Sequence, residues 1–217
     1  VVHRMDKAIG DLVAGLKQRG VLDDTLILFM SDNGGNAEAG PKGKTNGDPT
    51  KADSDWFCGE SWAFAENTPF RLFKHFNHEG GISTPLIAHW PAGIQAKGEL
   101  RNAPGHVIDI TATMLELAGT SRPAQINNQP TPPSPAESLV PIFAKDGSRT
   151  RQELWWSHEA NRALRAGDWK IVASGAEAPW ELYDLSQDRA EQNNLAKSHP
   201  EKLKELTEKW ESRTAEY

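Results

Sequence analysis

Cysteine is almost missing from this chain. Cys58 stands alone among 217 residues, so there is no internal disulfide and no cysteine-rich zinc site to look for. An excess of positive charge is missing too: 24 Lys and Arg face 30 Asp and Glu, for a formal net charge of -6. The net negative charge and the lack of a basic run of the kind that grips a phosphate backbone argue against nucleic acid as a general partner. No stretch reaches the apolar length of a membrane-spanning helix, and no signal peptide opens the sequence. The first residue is Val1 rather than Met, and a helical pattern begins at once; an upstream part is therefore expected. What remains is the composition of a packed globular protein, 37% hydrophobic with eight Trp, long enough for one large domain or a medium one plus a small one.

The sequence is organised around Thr25 to Gly35, Thr-Leu-Ile-Leu-Phe-Met-Ser-Asp-Asn-Gly-Gly. Its apolar run without polar alternation predicts a strand buried on both faces, stopping at Asp32, Asn33, Gly34 and Gly35. In open α/β sheets ligands bind beyond the carboxyl ends of strands. An Asp carboxylate and an Asn carbonyl placed there suit a hard cation such as Ca²⁺ or Mg²⁺ rather than zinc or copper. Asn33-Gly34 also reads as a turn, and on this stretch alone both readings stand.

Upstream, Met5, Ile9, Leu12, Val13 and Leu16 share one helical face, and Gly20 is placed to end the helix. Downstream, Gly34 to Thr68 is rich in Gly, Asn, Asp, Lys and Pro with Trp56, Phe57 and Trp62 embedded. That predicts a long loop whose aromatics either line a cleft or fasten the loop to the body. Asn67 to Gly81 then concentrates Arg71, Lys74, His75, His78 and Glu79. Such a cluster is either a solvated turn or a holder for a tetrahedral oxyanion, with Arg donating paired hydrogen bonds and Lys acting as a point charge. Leu86 to Trp90 predicts a second buried strand, and Gly105 to Gly119 a buried helix preceded by His106, read as a capping or packing residue.

Six prolines between Pro123 and Pro141 mark a linker or surface-hugging loop. Beyond it, Glu153 to Ser157, Arg162 to Arg165, Asp168 to Ala173 and Glu181 to Leu185 predict a small antiparallel sheet. Ser198 and Glu201 have the spacing of a capping box, opening a helix whose Leu203, Leu206 and Trp210 lie across that sheet.

Three blocks resemble the sulfatases of the alkaline-phosphatase-like superfamily, especially the arylsulfatase class. Leu26 to Gly35 is similar to the family strand ending in Ser-Asp-Asn-Gly. Asn67 to Gly93 is similar to the segment with Arg71, Lys74, Glu79-Gly80-Gly81, a strand and Trp-Pro-x-Gly. Asn161 to Leu195 resembles the C-terminal Arg-Ala-x-Arg, Gly-Asp-Trp-Lys and Glu-Leu-Tyr-Asp-Leu pattern. The resemblance implies an α/β fold: a truncated alkaline-phosphatase-like α/β sandwich with a largely parallel sheet, and a small C-terminal antiparallel sheet with a covering helix. The expected division is residues 1–145 for the C-terminal part of the catalytic α/β domain and 146–217 for the small subdomain.

By the same resemblance Asp32 and Asn33 match two ligands of a single Ca²⁺, Lys74 a lysine contacting sulfate and nucleophile, and Arg71 a cation of the same pocket. His158 lies in a segment that can approach the mouth of the site, as a substrate contact or a structural residue. The expected activity is hydrolysis of aryl or carbohydrate sulfate esters, in a periplasmic or secreted setting. Sulfatases make a formylglycine nucleophile within Cys-x-Pro-x-Arg or Cys-x-Ala-x-Arg, and Cys58-Gly59-Glu60-Ser61-Trp62 does not match. The chain then reads as the C-terminal half of such an enzyme, inactive alone. Two other functions share these residues: a phosphodiesterase or phosphonate hydrolase of the superfamily, and a degenerate module binding sulfated glycans.

Overall fold

A computed structural model describes residues 2–148 and 151–216. In chain order the elements are α1 (Val2–Gln18), β1 (Ile27–Met30), β2 (Lys44–Asn46), β3 (Asp55–Phe57), α2 (Glu60–Glu66), α3 (Glu79–Ile82), β4 (Leu86–His89), α4 (Asp109–Leu117), β5 (Gln125–Ile126), β6 (Gln129–Pro130), α5 (Val140–Ala144), β7 (Glu153–His158), β8 (Asn161–Ala166), β9 (Trp169–Ala173), β10 (Glu181–Asp184) and α6 (Pro200–Thr214). They form two compact units, Val1–Met30 with Leu86–Thr150, and Ser31–Pro85 with Arg151–Tyr217.

In the first unit the apolar run becomes β1, paired antiparallel with β4 in the register Leu28 to Ala88 and Phe29 to Ile87. This corrects the expectation of a largely parallel sheet: every strand pair among the described residues is antiparallel. It also corrects the expected burial on both faces. Leu26 and Leu28 pack with Ala88 and Ile94 against Leu139, Ile142 and Phe143 around α5, whereas Phe29 and Ile87 keep 40% and 60% of their surface exposed. Side chains alternate across a strand, so α5 covers only one face of this ladder.

The α1 helix ends as its sequence dictates, with Gly20 at a φ of 70° and Val21 N–H returning to Leu16 O at 3.1 Å, the left-handed glycine closure. Yet no residue of α1 is buried, and α4 buries only Asp109 and Thr113. The helices expected to be packed are only partly covered: Ile9, Val13, Leu16, Ile110 and Leu115 are half-buried, while Met5, Leu12, Met114 and Leu117 stay exposed. Asp109 is buried while accepting from His106 N–H and Glu137 N–H; His106 Nδ1 accepts loosely from Ile108 N–H just before α4, a local contact and not a side-chain cap. The proline-rich stretch is not wholly irregular: Asn127 and Asn128, both at positive φ, close a two-residue hairpin between β5 and β6.

The second unit contains the four-stranded antiparallel sheet β10-β9-β8-β7, as the strand pattern predicts. Leu164, Ile171 and Leu182 of one sheet face are fully buried against Leu206 of α6, with Leu203 and Trp210 beside it. Burial of such side chains contributes about 1.5–3 kcal/mol each. Ser198 makes no capping box. Pro200 takes the first helical position and His199 the cap, so the Ser198 hydroxyl turns back to Leu195 O at 3.1 Å and to His199 Nδ1 at 2.9 Å. The long Gly34 to Thr68 segment carries its own structure, the β2–β3 hairpin and α2, with Trp56, Phe57 and Trp62 more than half exposed.

Candidate functional site

Immediately after β1 the chain turns through Ser31 to Gly35 and is clamped onto the 67–81 segment by backbone hydrogen bonds. Gly34 N–H donates to Gly81 O at 3.0 Å, and Lys74 N–H donates to Gly35 O at 3.0 Å. Asn67 is the keystone: Oδ1 accepts from Gly35 N–H at 2.9 Å, and Nδ2 donates to Ala63 O at 2.9 Å and Leu72 O at 3.0 Å.

Such close passage of backbone past backbone needs glycine. A Cβ on Gly34 would stand 1.8 Å from Gly80 O, one on Gly80 2.1 Å from Leu72 O, and one on Gly81 1.9 Å from Phe76 O. The glycines following Asn33 and following Glu79 thus let two distant sequence blocks share one wall. Within that wall Leu72 and His75 take φ values of 64° and 82°, a region that non-glycine residues enter at a cost.

Asp32 and Asn33 stand at the carboxyl end of β1, Asp32 exposed and Asn33 half-buried. Their side-chain oxygens are donors of the kind a hard cation accepts. Lys74 emerges from the clamp with its side chain 27% exposed and Nζ 2.8 Å from Glu38 Oε1. The hydrogen bonds from Lys74 and then Asn36 hold the Glu38 carboxyl down at about 2, so it stays charged near neutrality. Glu38 escaped the sequence reading because a glutamate between two alanines in a loop carries no pattern. The same Oε1 lies 3.3 Å from His75 Nε2. The His75 ring stacks on His158, centroids 5.6 Å apart and 20° between planes. The structure therefore brings Lys74, Glu38, His75 and His158 into one cluster.

Arg71 goes elsewhere. Its Nη1 donates to Glu181 Oε2 at 2.6 Å and Tyr183 Oη at 2.7 Å. Burial alone would raise the Glu181 carboxyl, but hydrogen bonds from His78, Tyr183 and Arg71 bring it down to about 2. Burial and then the Glu181 carboxylate push the Tyr183 phenol up. One turn on, Glu79 N–H donates to Glu191 Oε2 at 2.7 Å, and both carboxylates hold the fully buried Lys170, Nζ lying 2.8 Å from Glu79 Oε1 and 2.7 Å from Glu191 Oε1. The Arg71 to Gly81 block and the block after Asn161 are thus joined by buried charge, a relation no local spacing announces.

Cys58 is exposed, and its thiol is pushed up by its surroundings and by the Glu66 carboxylate 3.5 Å away. That is the opposite of an activated nucleophile.

The arrangement has counterparts among known proteins. The sulfatase family model matches residues 1–120, and a model described as N-sulphoglucosamine sulphohydrolase, C-terminal, matches residues 69–216. The chain belongs to the sulfatase family. Among curated sulfatases, an uncharacterized one from Schizosaccharomyces pombe is 34% identical over 97% of this chain and 41% of its own length. An N-acetylgalactosamine-6-O-sulfatase from Bacteroides thetaiotaomicron is 27% identical over 98% of this chain and 40% of its own. A solved structure tied to metabolism of multiple glycosaminoglycans by that bacterium superposes with a TM-score of 0.71 at 25% identity, covering 97% of this chain and 43% of the other. The chain spans about 40% of the length of these sulfatases, and the alkaline-phosphatase-like fold expected from the sequence holds.

Proposed function

We propose that this chain carries the part of a sulfatase that grips the sulfate group, in a protein that hydrolyses sulfate esters with one Ca²⁺ and a formylglycine nucleophile from outside these residues. The observation that carries the reading is the double clamp, Gly34 N–H to Gly81 O and Lys74 N–H to Gly35 O, each 3.0 Å. It fastens the Lys74 backbone to the turn that follows Asp32 and Asn33, which supports a reading in which a cation site and a mobile positive charge serve one anion.

Asp32 and Asn33 would hold the Ca²⁺, whose oxygen-donor preference they meet; the bound ion would offset charge on the sulfate oxygens. Lys74 donates to a sulfate oxygen and stabilises the charge that develops there, the preorganised electrostatics that dominate group transfer. Glu38 occupies Lys74 until an anion displaces it. Arg71 enters as a second positive charge on the family resemblance alone, its Nη1 being committed to Glu181 and Tyr183. His158, exposed at the β7–β8 turn, contacts the alcohol side of the ester. The substrate is an aryl or carbohydrate sulfate, and the setting periplasmic or extracellular.

The chain alone has no nucleophile and is inactive. Incubating it with a generic aryl sulfate tests this, and turnover above buffer overturns it. For the full-length protein, sulfate-ester turnover lost in Lys74→Ala is expected; preference for phosphate or phosphonate esters would move the assignment to the hydrolases that share the fold, and sulfated-glycan binding without turnover to a binding module.

A further inference from the structure

Beside Lys74 lies a second set of donors, His75, His158 and Glu159, of which the sulfate reading uses only the exposed His158. The two-residue turn Glu159-Ala160 between β7 and β8 is fastened to the other segment by Asn161 Nδ2, which donates to His75 O at 2.9 Å. Glu159 at a φ of 54° and His75 at 82° both sit in the left-handed region, a cost that surrounding contacts must hold in place. The outcome is one shared corner: a ligand atom from each of His75, His158 and Glu159 lies within 4.8 Å of the others.

Two details make this corner more than a chance meeting of surface residues. First, His75 Nδ1 is buried and has no hydrogen-bond partner among the described residues; Glu159 Oε2 is 3.7 Å away, too far for a hydrogen bond. Second, His75 Nε2 faces Glu38 Oε1 at 3.3 Å. A carboxylate there keeps the proton on Nε2 and aims the Nδ1 lone pair into the corner, as outer carboxylates do for metal-bound histidines. Donors about 2.1 Å from a tetrahedral ion stand roughly 3.4 Å apart, close to the 3.7 Å between Nδ1 and Oε2. The His158 ring is exposed, and its soft ring torsion lets it turn from stacking to edge-on ligation.

We propose that His75, His158 and Glu159 form a site for a transition-metal ion of the zinc type, with an open fourth position. Two imidazoles and one carboxylate are the donors such an ion favours and Ca²⁺ does not. The site differs in chemistry from the oxygen pair Asp32 and Asn33 and stands whether or not the chain serves a sulfatase reaction.

Titration calorimetry of metal-free chain with Zn²⁺ tests it, with histidine ring resonances followed by NMR and folding of each variant checked by circular dichroism. The parent should take up one equivalent, with the His75 and His158 ring signals moving together, and equimolar Ca²⁺ should not compete. His158→Ala and Glu159→Gln should each weaken binding at least tenfold, and Glu38→Gln about 10- to 100-fold through the outer hydrogen bond. Asp32→Asn should leave Zn²⁺ binding unchanged, which separates this site from the Ca²⁺ assignment. No saturable binding, or binding that His158→Ala and Glu159→Gln leave intact, overturns the proposal.

Discussion

Lys170 Nζ, with no exposed side-chain surface, bridges Glu79 Oε1 at 2.8 Å and Glu191 Oε1 at 2.7 Å. Burial pushes the Glu79 carboxyl up and Lys170 pulls it back below its ordinary value. Ammonium and carboxylates lose water together, and each is tolerable only while the others are present. Since Glu79 opens α3 and is followed by the close-packed glycines that abut Gly34 and Arg71, this triad ties that glycine segment to Lys170 and Glu191.

Lys170→Met should therefore destabilise the chain by about 3–5 kcal/mol, the scale of breaking a buried ion pair from one side. The triple change with Glu79→Gln and Glu191→Gln should recover part of that loss, because no unpaired charge then remains. Urea unfolding of the three proteins decides it. A triple variant weaker than Lys170→Met would mean that packing rather than charge dominates here.

Glu181 gives a pH signature. Its carboxyl falls from 4.5 to about 2 in the fold, so the folded state favours its charged form. The resulting stability is present in full above the unfolded value, near 4.5, and is lost as pH falls towards about 2. Denaturant midpoints across that interval should drop in the parent and drop less in Glu181→Gln, which starts weaker at neutral pH because Arg71 and His78 lose their partner. Parallel slopes for the two proteins would refute the assignment.

The glycine contacts predict a local rather than a global defect. Gly34→Ala places a methyl carbon against Gly80 O and forces the two segments apart, at about 1–3 kcal/mol as for other overpacked sites. The amides of Gly34 and Lys74, both in the clamp, should lose protection from hydrogen exchange. Amides of β8 and β9, in the central part of the four-stranded sheet, should keep theirs.

These relations mark what the sequence could and could not tell. Strand period and turn residues made the Glu153 to Asp184 sheet legible, and Leu203, Leu206 and Trp210 made α6 legible, because both signals are local. The three family blocks pointed to Asp32, Asn33 and Lys74 for the same reason. Arg71 was legible as a cation but not its partners, since Glu181 and Tyr183 lie 110 and 112 residues away and no spacing rule spans that distance. The capping box failed on a single residue, Pro200, which shifted the helix start past Ser198. Burial of β1 and α1 was overestimated because apolar pattern reports which face can be covered, not whether this chain supplies the cover.

Glu38 sets the last prediction, which rests on the sulfate role proposed for Lys74. In the structure Lys74 Nζ is held by Glu38 Oε1 at 2.8 Å, and Glu38, at about 2, stays ionised throughout the neutral range. An anion approaching Lys74 must displace that carboxylate. Glu38→Gln keeps the shape and removes the competing charge, so inorganic sulfate should bind about two- to fivefold more tightly at low ionic strength, the scale of an exposed ion pair. The gain should shrink as salt screens the pair and vanish in the double variant with Lys74→Ala, whose ammonium is gone. Calorimetric titration of sulfate into the three proteins measures this directly. Equal affinity in the parent and Glu38→Gln would show that sulfate does not meet Lys74 at all, whereas a gain that survives loss of the lysine would move the anion to Arg71 or another cation.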